Sequence, residues 1–456
     1  MVSRVAQGPE NRVERAPQDE PSSALIFQLV PWHARLGLLV ARRAGSRYTV
    51  VAPGLFRPAR GKNAHDWVDR MYRQTYAEID CEVLAANVRQ IVETYPDYRH
   101  YIGVVKANAY GHGDFVIDSL IEGGVNYLAA SSLEECLRIR RLRQTIPVLC
   151  LGVIRPEYFD ICAENRITVT IGDLDHYRAI AGSRPLKVHL KVDSGMNRLG
   201  FASAEEVHAV WEDASARGHV QVEGVYTHFA TSGLYDEYWA LQMERFREIT
   251  SQIDLSAVDI VHVGRSLTLV HHERPPFANG VRLGIVMYGF SQSRQPPSGL
   301  RKLKRDLLMR RSGTDDVVWS NALDLRSALA IKSEIVAVKR VRAGDHIGYG
   351  AGSRVTEDST VGIMAIGFAD CRLKRGGIVE ISGRRYEIVG EIGMDMTAVR
   401  IDETVRVGDE VVVYRDVRDA ARSLGISAYQ FLTSISDRVP RVYNRAGDVT
   451  EITYRR

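Results

Sequence analysis

Tyr101-Ile-Gly-Val-Val-Lys106-Ala-Asn-Ala-Tyr110-Gly-His-Gly113 reads as a short buried strand that breaks into a glycine-rich turn. Lys106 sits at the break. An ammonium group in an apolar strand is costly unless it is neutralised or covalently occupied. A desolvated lysine gives up its proton readily and becomes an amine nucleophile, which is what a Schiff base requires. The alternative is a lysine whose stem lies along the strand end with its charge in water.

Working outward, similar apolar runs recur: Ile102–Lys106, Tyr127–Ala130, Pro147–Leu151, Ile167–Ile171, Lys187–Val192, Val222–Thr227, Asp259–Val263 and Val281–Tyr288. Amphipathic stretches lie between them, among them Glu82–Tyr95, Leu133–Arg143, Ala204–Arg217 and Tyr238–Ile253. Strands alternating with helices predict parallel pairing through right-handed crossovers. Eight such strands close a (β/α)8 (TIM) barrel, with its active site at the strand C-terminal ends. Lys106 lies near such an end.

After a polar stretch, 291–324, the texture turns β-rich, with runs at Ile335–Val341, Val361–Ile366, Ile378–Ile381, Tyr386–Val389, Thr397–Ile401 and Glu410–Tyr414. A small sandwich or barrel with one helical segment, Tyr429–Ser436, is expected there. The predicted α/β organisation is an N-terminal extension over 1–75, a barrel over 76–305 and a mostly-β domain over 306–456. Residues 1–22 carry three prolines and many polar groups, a composition that predicts disorder. A helix is expected from Asn63 to Tyr72, with no chemistry assigned to it.

Sixty basic and 56 acidic residues give a formal net charge of +4, too balanced for a nucleic-acid binder. The basic run Arg301-Lys-Leu-Lys-Arg305 and Arg310-Arg311 reads as a solvated loop rather than a polyanion site. Five scattered cysteines without a C-x-x-C pair fit a reducing cytoplasm and argue against a structural zinc site. No apolar run is long enough to span a bilayer, and no secretory signal is expected.

Chemistry gathers at the predicted strand ends. Lys191-Val-Asp-Ser-Gly-Met-Asn-Arg198-Leu-Gly-Phe201 leaves the fifth strand, and Arg198 suits a carboxylate clamp. Val225-Tyr-Thr-His228 ends the sixth on a histidine, which by itself reads equally as a core residue. The seventh ends His262-Val-Gly-Arg-Ser266, and the eighth carries Arg282, Gly284 and Ile285. Barrels frequently hold phosphate beside strands seven and eight.

With these motifs in this order, the chain resembles the alanine racemase family, in the fold III class of pyridoxal-phosphate enzymes. The likeness runs from Thr75-Tyr-Ala-Glu-Ile-Asp80 to Arg438-Val-Pro-Arg-Val-Tyr443, and includes Gly348-Tyr349-Gly350 and Gly393-Met394-Asp395-Met396. The resemblance implies that Lys106 holds pyridoxal 5'-phosphate (PLP) covalently, with Tyr110, Ser266, Gly284 and Ile285 at its phosphate. It implies that Arg282, oriented by His228, faces the pyridine nitrogen. Lys106 and Tyr349 are then the two acid–base groups on opposite faces of Cα, with Tyr349 contributed by the other subunit of a homodimer. Arg198 and the Met394 backbone hold the substrate carboxylate. Standing alone, Tyr349 is also readable as an ordinary strand-end aromatic.

The chain departs from the family at Phe368, Cys371, Glu391, Asp437, Arg265 and Leu283. Asp437 replaces a tyrosine and Glu391 an arginine, so two carboxylates are added near the substrate route. The expected activity is an amino-acid racemase making D-amino acids, acting on alanine or on a larger, basic amino acid. Alternatives are a fold III decarboxylase, which lacks a matching cysteine–aspartate pair here, and a non-catalytic PLP carrier, which would lack the β domain.

Overall fold

The computed structural model describes residues 72–181, 184–231, 238–264, 266–290 and 323–453, the short strands at 40–41 and 49–50, and positions 299, 300, 303 and 307. The expectations for 1–22, for the helix before Tyr72, for most of the basic 291–324 stretch and for Arg265 fall outside the described residues. The chain divides into two units, Met1–Arg57 and Pro58–Arg456. In the first, Val40–Ala41 pairs antiparallel with Thr49–Val50.

In the second unit eight parallel strands close a barrel. In chain order they are His100–Val104, Tyr127–Ala130, Val148–Cys150, Ile167–Ile171, Leu186–Lys191, Val220–Tyr226, Ile260–Gly264 and Gly280–Leu283. All eight coincide with apolar runs of the sequence. The middle strands are buried along their length, as expected where one face meets the barrel interior and the other meets helices. Side-chain caps start the surrounding helices: Asp80 for Cys81–Thr94, Ser132 for Leu133–Leu142 and Ser203 for Ala204–Arg217.

Two strands end earlier than the apolar pattern implies. The first stops at Val104, so Lys106 lies beyond it, at the start of a short helical turn. The last stops at Leu283, and Ile285–Tyr288 forms a 3-10 turn. Apolarity continues past the hydrogen-bonded ladder because Val105, Ala109 and Tyr110 in the first turn, and all of Ile285–Tyr288 in the second, are buried.

A nine-stranded sheet forms the other half of the unit, and six of its strands make the expected small barrel: Ser359–Met364, Thr397–Ile401, Arg384–Val389, Ile378–Ile381, Glu410–Tyr414 and Leu329–Val341 pair in turn, and the last closes back on the first. Its long strand Leu329–Val341 bends between neighbours, pairing with Glu410–Tyr414 and Tyr76–Asp80 through its first half and with Ser359–Met364 through its second. Tyr76–Asp80, which the sequence division placed with the barrel, belongs to this sheet, between Leu329–Val341 and Arg441–Arg445. Both partners lie more than 240 residues away in sequence, so no local signal marks the pairing. The helix Val417–Leu424 and the final strands Arg441–Arg445 and Asp448–Thr453 add to the elements read from sequence. Among the described residues, no helix is long and apolar enough to cross a membrane.

Candidate active site

The chain reverses hand immediately after Lys106. Ala107, Asn108, Ala109 and Tyr110 all have φ near +50°. One turn of left-handed helix built from non-glycine residues costs about 1–2 kcal/mol per residue. Surrounding contacts hold it in place. The Ala107 N–H donates to Glu135 Oε1 at 2.7 Å, and the Gly111 N–H to the Ala107 carbonyl at 3.0 Å. His112, fully buried, stacks on Tyr288 with ring centroids 4.5 Å apart and keeps Nδ1 near the Ala109 and Tyr110 carbonyls. From the sheet, Arg441 Nε donates to the Gly111 carbonyl at 3.0 Å. Strain concentrated where two candidate functional side chains emerge is typical of functional sites.

The turn points Lys106 and Tyr110 into one cavity of about 730 Å³ at the barrel mouth. Arg198, His228, Ser266, Arg282 and Gly284 line the same space. Seven of the ten sequence-predicted site residues are thereby brought together. Ile285 follows Gly284 in the buried 3-10 turn. Tyr349 and Met394 lie on the sheet domain, largely exposed, and do not line the cavity within this chain.

One end of the cavity is a hydroxyl-lined cradle. Ser266 Oγ accepts the Gly284 N–H at 3.1 Å. A Cβ added at Gly284 would stand 3.1 Å from the Tyr110 hydroxyl and 3.5 Å from Ser266 Oγ, so a side chain there would fill the gap between them. Two hydroxyls and adjacent backbone amides suit the phosphate of PLP.

The floor is a buried guanidinium. Arg282 donates to the His262 Nδ1 and carbonyl at 2.7 Å each, and to the Thr227 carbonyl at 2.6 Å; its Nη2 lies 3.3 Å from His228 Nδ1. It also lies over the Tyr226 ring, 5.1 Å from the centroid. Burial lowers its pKa to about 10, which leaves it charged at neutral pH. For Lys106, burial and then the nearby Arg198 charge lower the amine's pKa, favouring the neutral nucleophile.

Sequence reasoning left other cavity residues without a role. Lys191 opens the Lys191–Phe201 motif, whose sequence assigns it no role; it is buried, and burial with the Arg282 and Arg198 charges brings its pKa down to about 8. Tyr226 shares the strand parity of His228, a period-two signal that marks it in retrospect. Tyr429 comes from the other domain, on a helix started by the Ser427/Gln430 capping box, and its ring lies 5.9 Å from that of Tyr110. Ser-x-x-Gln before an apolar pair was the legible sign. Of the departures, Glu391 is paired with Arg375 at 2.8 Å, and Asp437 is exposed outside the cavity lining.

A closed (β/α)8 barrel with a partly buried lysine, two hydroxyls beside a glycine and a buried arginine at its mouth, joined to a β domain, is the arrangement of the PLP-dependent amino-acid racemases. Residues 79–292 match the family model "Alanine racemase, N-terminal domain", and residues 328–443 match "Alanine racemase, C-terminal domain". The chain belongs to the alanine racemase family. It is 33% identical over 391 residues to alanine racemase of Streptococcus agalactiae, covering 82% of this chain and all of that protein. The solved structure of alanine racemase from E. faecalis superposes with a TM-score of 0.72 at 30% identity, over 82% of this chain and 99% of that one. A histidine racemase from Leuconostoc mesenteroides superposes with a TM-score of 0.70 at 25% identity, over 82% and 98%.

Proposed function

We propose that this racemase interconverts L- and D-alanine with PLP held in the barrel-mouth cavity, as a homodimer in which Tyr349 of the partner subunit completes each site. The observation that carries the reading is the convergence of Lys106, the Tyr110–Ser266–Gly284 cradle and Arg282 on one cavity. PLP, when bound, supplies an electron-withdrawing ring that acidifies the Cα proton of the amino acid. Lys106 Nζ holds or releases a proton on one face of Cα, and the Tyr349 hydroxyl of the partner subunit does so on the other. With Nη1 and Nη2 engaged by His262, Thr227 and His228, Arg282 would offer its Nε–H to the ring nitrogen and keep its own proton, which would restrain electron withdrawal and favour proton exchange over amino-group transfer. Arg198 and the Met394 backbone hold the substrate carboxylate, with Asp193 bracing the Arg198 loop through three backbone N–H bonds of 3.0 Å.

The dimer is supported by an apolar patch around the tyrosine. Tyr349, Phe368, Met394 and Met396 are 77%, 58%, 54% and 59% exposed. The Phe368 and Ala369 amides bond the Gly393 and Met394 carbonyls, and the Gly348 Cα packs against the Glu391 backbone, so the four side chains share a neighbourhood. Apolar groups exposed together suit a subunit contact. A reducing, cytoplasmic location belongs to the same reading, supported by five buried cysteines that all remain free thiols.

The second reading is a larger or basic substrate. It is favoured by exposed Asp437 in place of an aromatic, and by the fold shared with a histidine racemase. Against it, the Glu391 carboxylate is already engaged by Arg375. Incubating PLP-loaded protein with L-alanine, L-histidine and L-lysine in deuterated water, and following Cα exchange and chirality, separates the two. Alanine should have the highest kcat/KM; a basic amino acid ahead of it establishes the second reading. Borohydride reduction should leave the cofactor on the Lys106 peptide, and recovery of that peptide unmodified overturns the site.

A further inference from the structure

Beneath the cavity, the barrel encloses a hydrogen-bonded chain that the proposed reaction does not use. Arg282 Nη1 donates to His262 Nδ1 at 2.7 Å. His262 Nε2 lies 2.9 Å from His189 Nδ1, and His189 Nε2 lies 3.3 Å from Glu223 Oε2. All four side chains are buried. Glu223 Oε2 also accepts the Tyr127 hydroxyl at 2.7 Å and the Thr168 hydroxyl at 3.2 Å, and Glu223 Oε1 meets the ammonium of Lys187. Lys187 is exposed near the N-terminal end of its strand, so the chain runs from the closed end of the barrel to the cavity.

Its direction is determined at both ends. A guanidinium only donates, so His262 Nδ1 accepts and its one proton sits on Nε2. His189 Nδ1 then accepts from His262, which leaves its own N–H on Nε2, aimed at Glu223. An ionised carboxylate only accepts. A second proton on either imidazole would set donor against donor. The electrostatics agree. Burial and then the Arg282 charge hold His262 well below its ordinary pKa, and burial lowers His189. Burial alone would raise the Glu223 carboxyl, yet hydrogen bonds from His189, Lys187 and Tyr127 bring it below the ordinary range.

We infer that Glu223 is a positioning residue: acting through His189 and His262, it holds the Arg282 guanidinium in the orientation that donates into the cofactor cavity. The inference rests on the reading of Arg282 as the group facing the PLP ring nitrogen. Glu223 touches neither cofactor nor substrate. Its contribution is to accept the last hydrogen bond of the chain, so that each imidazole has one ring nitrogen free to accept toward Arg282.

The test is the imidazole 15N spectrum of the full chain, with and without PLP, beside the kinetics of E223Q and E223L. In the wild type, His189 and His262 should both be neutral Nε2–H tautomers, unchanged through the range where a free imidazole titrates, near pH 6.5. E223Q keeps an acceptor oxygen, so it should preserve the His262 signal and hold kcat within about threefold of wild type. E223L removes the acceptor; it should shift the His262 signal, two side chains away, and lower kcat about tenfold, the size of one lost hydrogen bond, with KM within about twofold. Nδ1–H or protonated imidazoles in the wild type overturn the inference, as does an E223Q variant as impaired as E223L, or a folded E223L with unaltered kcat. Should E223L fail to fold, the wild-type tautomers and E223Q still decide. Protein that takes up no PLP overturns the cavity reading instead, and leaves the imidazole result standing.

Discussion

The Tyr443 hydroxyl donates to the backbone carbonyl of His112 at 2.9 Å, joining residues 331 positions apart in sequence. Through this bond, and that from Arg441 to Gly111, the sheet domain secures the left-handed turn that presents Lys106 and Tyr110. Y443F leaves the buried His112 carbonyl without this donor and should lower stability by about 1–3 kcal/mol. Chemical denaturation measures the loss; a PLP titration should show weaker binding alongside it.

The left-handed turn predicts an inverted glycine effect. Glycine for alanine in an ordinary helix destabilises by about 1 kcal/mol. At Ala107, where φ is +52°, A107G should instead raise stability by about 1 kcal/mol by removing the Cβ conflict. A denaturation midpoint below that of wild type would contradict the turn's hand.

Lys106 should react as an amine below the pH at which an ordinary lysine does. Its pKa is lowered from 10.5 by burial first and the Arg198 charge second. The rate of PLP uptake by cofactor-free protein should rise with pH through an inflection below 10.5, and R198Q should move that inflection upward. An inflection at the free-lysine value, or no response to R198Q, would remove the electrostatic part of the argument.

Lys191 supplies a pH dependence of stability with a definite sign. Its folded pKa is depressed to about 8 from 10.5, so between those values the unfolded chain binds more protons. Stability contributed by this group therefore rises with pH from about 8 to 10.5, and below 8 the folded state carries a penalty of at most about 3 kcal/mol. K191M removes the charge but gives up the contact with the Tyr226 ring, where Nζ lies 5.2 Å from the centroid. It should be more stable than wild type at neutral pH by about 1–3 kcal/mol, with the two converging above about pH 10. Denaturation at several pH values reads this directly.

The shared site predicts complementation. K106A and Y349F should each be inactive as pure homodimers. After mixing and subunit exchange, half of the dimers carry one site with both wild-type groups, so about one quarter of wild-type activity should return. No recovery despite proven exchange would place both groups in one chain's site.

The sequence resolved the barrel well because each strand is a short apolar run between amphipathic helices, and Lys106 stood out as a charge among them. The hand of the turn after it was not legible. Alanine and tyrosine carry no mark of a positive φ and a lone asparagine only a weak one; the four-residue run is held by Glu135 at the Ala107 amide and by Arg441 and Tyr443 at the Gly111 and His112 carbonyls that follow it. The place of Tyr76–Asp80 was equally hidden, since alternation marks a strand but not its partner.

By itself, then, the order of residues determined what depends on near neighbours: strand and helix periodicity, the caps Asp80, Ser132 and Ser203, and which side chains cluster at strand ends. Tertiary structure decided what depends on groups distant in sequence. It joined Arg282, His262, His189 and Glu223 into one chain with a single proton arrangement. Hydrogen-bond direction and burial exist only between groups brought together in space, and folding alone brings these together.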